Sequence, residues 1–77
     1  MDLQALTTTL SSYGTVDFCN YNGGNTNQLI VVIQGFTSNV TNINAFNATA
    51  VSNIEPEFPT LEHFSLNENI LKVVYIK

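Results

Sequence analysis

An α+β fold is what three features of this sequence predict: an N-terminal helix packed on a small antiparallel sheet of three or four strands. Leu3, Leu6, Leu10 and Tyr13 recur at three- and four-residue intervals, the period of one helix face. Two apolar runs, 29–33 and 70–76, have the length and β-branched content of strands. Each run follows a break rich in Asn, with Gly in the first. At 77 residues the chain makes one small domain, 1–77.

Taken in order, residues 2–13 predict the helix. Asp2 can accept from the first-turn amides, and Gly14 is a natural stop. Thr7, Thr8 and Thr9 weaken it, because β-branching restricts side-chain rotamers in a helix. Residues 15–21 predict a strand with Val16, Phe18 and Asn20 on one side and Asp17, Cys19 and Tyr21 on the other. The loop 22–27, NGGNTN, holds residues that tolerate positive φ. The strand 28–35 follows, so an antiparallel hairpin is the simplest arrangement.

Within 37–53 a second helix is expected. Val40, Ile43, Phe46, Ala50 and Ile54 fall on one face, and Thr37 or Ser38 can cap it. Five Asn residues there oppose it, so an irregular crossover or short strands at a subunit interface compete. Pro56 and Pro59 mark a connector. Residues 61–66 read as a strand or as one helical turn capped by Thr60. Asn67, Glu68 and Asn69 form a turn before the final strand. The halves share a loose helix–hairpin pattern. An all-β module with a helical arm is the alternative fold.

Composition narrows the function classes. Charged residues are 10% of the chain, against about 25% in ordinary globular proteins, and 44% are apolar. Low charge with ample apolar content argues for folding rather than disorder. The net charge is −4, and the only cations are Lys72 and Lys77. Nucleic-acid binding needs cations that displace counterions from phosphates, and two do not supply it. An anionic membrane surface is disfavoured for the same reason. No basic region and apolar run of a signal peptide opens the chain, and no run approaches the roughly 20 residues that span a bilayer. The expected compartment at synthesis is therefore the cytoplasm, or a virion if the protein is viral. Cys19 is the single cysteine, so no internal disulfide forms. The sequons at Asn39 and Asn47 are read as chance matches in an Asn- and Thr-rich chain.

The candidate constellations for chemistry are thin. Cys19 with His63, oriented by Asp17 or Glu62, would be a nucleophile and base. No Gly-rich turn or helix start adjoins Cys19 to lower its pKa or build an oxyanion hole, so a small buried hydrophobe is the preferred reading. Glu55, Glu57, Glu62 and His63 offer one imidazole and scattered carboxylates, short of a zinc site and without a calcium loop. The NGGN segment lacks the Lys and Ser/Thr of a phosphate loop. Asn beside Tyr13, Tyr21 and Phe36 could meet a sugar, though no spacing selects one. No catalytic, cofactor or metal residue is assigned, and no enzyme is expected.

Association remains. Leu29, Val31 and Ile33 alternate with Ile30 and Val32; Leu71, Val73 and Tyr75 alternate with Ile70, Val74 and Ile76. Strands apolar on both faces need cover on both. The helix covers one face. A second helix could cover the other, and otherwise a partner does. Ile30, Val32, Val74 and Ile76 are the candidate interface. The expected function is a structural or accessory subunit, such as a viral or phage particle component. It would act by homo-oligomerisation or by docking to a protein partner. An acidic inhibitor or adaptor steered to a basic surface is the alternative, and its binding would weaken with salt.

Overall fold

The computed structural model describes residues 1–19 and 27–77, and it is α+β as expected. Helix α1 (Leu3–Leu10) runs into a 3-10 turn at Ser11–Tyr13. Strands β1 (Thr15–Phe18) and β2 (Gln28–Gln34) follow, then helix α2 (Val40–Asn53), then strands β3 (Thr60–Asn67) and β4 (Ile70–Ile76). Asn20, Tyr21 and all but the last residue of the expected 22–27 loop lie outside the described residues.

Each helix starts where a side chain satisfies its free amides. The Asp2 carboxylate accepts from Ala5 N at 3.1 Å. The three threonines are accommodated by turning their hydroxyls back on the helix. Thr7, Thr8 and Thr9 donate to the carbonyls of Leu3, Gln4 and Ala5 at 2.8, 3.1 and 3.0 Å. Helix α2 is capped by Asn39, whose side chain accepts from Asn42 N at 2.8 Å, and not by Thr37 or Ser38. Thr37 still contributes, since its carbonyl accepts from the Asn42 side chain at 2.9 Å.

The four strands form one antiparallel sheet in the order β1-β2-β4-β3. Strand β2 leaves the sheet through α2 and returns as edge strand β3, and β4 fills the place between. The elements therefore repeat as helix–hairpin, helix–hairpin. The two hairpins meet along β2 and β4 with Val31 paired to Val73, the fourth residue of each strand. A pseudo-two-fold axis runs between those two valines. The ladder extends past both strand ends: Lys77 N donates to Asn27 O at 3.1 Å, and Phe36 N to Asn69 O at 2.8 Å.

Both helices lie on the same face. Leu6 and Leu10 from α1, and Phe46, Ala50 and Ile54 from and after α2, join Leu29, Val31, Ile33, Leu71, Val73 and Tyr75 in one core. Phe36 and Phe58 close its ends, fully buried. The expected stripe on α2 holds except at its start, because Val40 is 73% exposed. It is the first helical residue, immediately beyond the cap, and it does not reach the core that begins with Ile43. The Met1 ammonium donates to Glu57 Oε1 at 3.0 Å, which fastens the start of α1 to the connector before β3.

Candidate interaction surface

Register assigns every strand side chain to a face, since paired residues share a side of the sheet. Leu29, Val31 and Ile33 pair with Tyr75, Val73 and Leu71 beneath the helices. The opposite, outer face is made of four rows. Thr15, Gln34, Ile70 and Asn67 form the first, and Asp17, Val32, Lys72 and Ser65 the second. Cys19, Ile30, Val74 and His63 form the third, with Cys19 N donating to Ile30 O at 3.0 Å; Gln28, Ile76 and Thr60 form the fourth.

The four residues expected to form an interface are thus neighbours. Ile30 pairs with Val74, and Val32 and Ile76 lie in the adjoining rows. Val74 is 6% exposed, yet it is outside the core cluster under the helices. Ile30, Val32 and Ile76 are half-buried, and Ile70 on the same face is 43% exposed. Among the described residues no element packs over this face. The second helix, which could have covered it, reinforces the first face instead.

A smaller apolar exposure lies on the helix-covered side at edge strand β3. Leu61 is 51% and Phe64 42% exposed, while Leu66 packs against the core. All three face inward because a bulge between Leu61 and His63 absorbs Glu62. Their spacing of three and then two residues matches neither strand nor helix period. That is why residues 61–66 are ambiguous as sequence.

The constellations tested for chemistry are taken apart by the topology. Cys19 and His63 stand on opposite edges, three strand spacings or about 14 Å apart. Cys19 is also not the buried hydrophobe expected: it follows the end of β1, is exposed, and its Sγ lies 3.9 Å from Asp17 Oδ2. It lies on the uncovered outer face beside edge strand β1, where Thr15 and Asp17 within the strand are exposed too. His63 is exposed, and Glu57 is engaged by the Met1 ammonium. Among the described residues no three His, Cys, Asp or Glu side chains group as a metal site requires, and no cavity opens. Tyr13 and Phe36 meet at 6.1 Å between ring centroids, tilted by 49°, but Phe36 is buried and presents no face to a sugar.

Burial pushes the Tyr75 phenol above its ordinary value, and the Glu55 carboxylate adds to the effect. Tyr75 belongs to the core face, so this concerns stability and not the outer surface. No helix among the described residues is long and apolar enough to cross a membrane. Compared with known proteins, the chain matches no family, no curated protein and no solved structure.

Proposed function

We propose that this protein is a non-catalytic structural or accessory subunit that acts by protein–protein association through the outer face of its sheet. One observation supports the reading above the rest. Both helices pack on one side, and the other side carries Ile30, Val32, Ile70, Val74 and Ile76 across its two central strands. A solvated sheet face ordinarily alternates to polar residues at these positions. Here the two central strands place only Gln28, Gln34 and Lys72 among five aliphatic side chains. Apolar surface of this kind marks association sites.

The test is native mass by sedimentation at low and high salt, for the wild type and for Val32→Glu. Association through an apolar face persists at high salt, because the repulsion between copies of net charge −4 is screened. Val32→Glu abolishes it by placing a carboxylate in the contact. A monomer at both salt concentrations that binds no hydrophobic dye would overturn the reading. Capture of a basic protein that is lost as salt rises would favour the acidic adaptor instead.

A further inference from the structure

We infer that the outer face takes a second copy of this chain, stacked about a two-fold axis that runs along β2 through Val32. This deepens the association reading above and rests on it. The argument is the order of side chains across the second row: Asp17, Val32, Lys72. An acid and a base flank a central valine, each one strand away, or about 5 Å on either side. Both are exposed, and the row holds no other charge.

A two-fold axis along β2 maps β1 of one copy over β4 of the other. Val32 then stacks on Val32, Asp17 of each copy faces Lys72 of its partner, and Ile30 stacks on Ile30. The pattern is self-complementary in charge and in the Ile30 and Val32 stacks, while Ile70 and Val74 meet Thr15 and Cys19 of the partner copy. Other axes lose this match. An axis between β2 and β4 sets Val32 against Lys72. An axis across the strands along this row sets Asp17 against Asp17 and Lys72 against Lys72. Charge therefore selects the register, and the aliphatic side chains supply the attraction.

The contact is small. Two strands about 23 Å long and a third of about 13 Å, each about 5 Å wide, give roughly 300 Å² of face per copy. That is well below the roughly 800 Å² per partner of a standard stable interface. The dimer is accordingly a concentration-dependent one, or one repeated contact in a larger assembly.

Charge reversal with mixing tests it. Asp17→Lys and Lys72→Glu are exposed substitutions and leave the core intact. Sedimentation equilibrium of the full chain is followed from about 10 μM to about 1 mM, a range that reads weak dissociation constants. Each single variant is expected to weaken self-association at least tenfold, because two like-charged pairs then face each other. An equimolar mixture of the two restores it. The lysine introduced at position 17 of one copy meets the glutamate introduced at position 72 of the other, while the unaltered Asp17 of the second copy meets the unaltered Lys72 of the first. Rescue in the mixture cannot arise from contacts within one chain. Self-association that is indifferent to both reversals, or not restored on mixing, overturns this two-fold register while leaving association through the face standing. A wild type that is monomeric throughout the range overturns the second copy as occupant. The association reading itself falls only if the monomer also shows no apolar surface to dye.

Discussion

Replacing Gly14 by Ala should be among the most damaging single-methyl additions in this chain. Gly14 joins the 3-10 turn to β1 with φ 149° and ψ −164°. Only glycine populates that region readily, and another residue there costs about 1–3 kcal/mol. Space is a separate matter. An added Cβ would lie 2.2 Å from the Gln34 carbonyl oxygen and 3.0 Å from Ile33 Cγ2. The oxygen belongs to the backbone of β2, beside the first pair of the β1–β2 ladder, Thr15 with Gln34. Relief requires the strands to part there by about an ångström, which weakens a ladder bond contributing about 1 kcal/mol. The sum is about 3–5 kcal/mol when some loosening of Ile33 packing is included. A 77-residue domain has about 4–12 kcal/mol in all. Gly35 supplies the control. Its φ is 81°, but an added Cβ meets nothing within 4 Å, so Gly35→Ala carries only the conformational cost of about 1–2 kcal/mol. Urea unfolding followed by far-ultraviolet circular dichroism measures both against the wild type. A Gly14→Ala midpoint as high as that of Gly35→Ala would refute the close approach of Gly14 to β2.

Other perturbations have defined outcomes. Glu68 opens the two-residue β3–β4 turn at φ 56°, so Glu68→Gly should raise the urea midpoint, by up to about 1 kcal/mol after the added chain entropy is counted. Asn39→Ala should cost about 1 kcal/mol while Ser38→Ala stays near zero, because only Asn39 accepts from an amide of α2; equal losses would contradict the assigned cap. For Tyr75 the folded value lies above the ordinary 10.0 through burial first and Glu55 second. Below pH 10 both states hold the proton and stability is unaffected. Above it the unfolded chain ionises first, so stability declines up through the folded pKa. Tyr75→Phe should flatten that decline, and identical slopes for the two proteins would refute it.

How far the sequence can be read depends on whether one residue can reset a pattern. The two central strands are legible because 29–33 is an unbroken apolar run and 70–76 is broken only by Lys72, and their alternation carries through to the observed pairing. Helix α1 is legible because its leucine spacing outweighs three threonines, which the fold accommodates through bonds to the preceding turn. Strand β3 is not, since one bulged residue shifts Phe64 and Leu66 onto the same face as Leu61. The start of α2 is displaced from its expected cap because Thr37, Ser38 and Asn39 can all serve, and the path of the preceding chain decides among them. The exposure of Cys19 escapes the sequence because alternation does not show that β1 is an edge strand or which of its faces is left uncovered. Alternation shows which side of its own strand each of the four candidate interface residues takes, but that they are neighbours depends on the pairing of β2 with β4. The charges that select a two-fold register are not legible, because their alignment depends on β1 and β4 flanking β2.

In the proposed dimer, the departure from internal symmetry is what would make the outer face selective. About the pseudo-axis between Val31 and Val73, Ile30 of β2 corresponds to Lys72 of β4, and Val32 to Val74. Were position 72 also aliphatic, the central positions 30, 32, 72 and 74 would read the same from either central strand, with only Gln28 and Gln34 set against Ile70 and Ile76. Two copies could then stack about either axis. Lys72 removes that degeneracy. It makes an axis between β2 and β4 unfavourable, because a desolvated ammonium against Val32 has no compensating partner. With Asp17 two strands away, the β2 axis offers it one. In the proposed dimer, a single lysine in a central strand, in a chain that carries only two, would thus disfavour the axis between β2 and β4 and favour the one along β2. Lys72→Val follows as a discriminating change. It should strengthen association by adding apolar contact, and it should also make the dimer indifferent to Asp17→Lys, because the preference for the β2 axis is then lost. Association of Lys72→Val that Asp17→Lys still weakens tenfold would place the specificity elsewhere on the face.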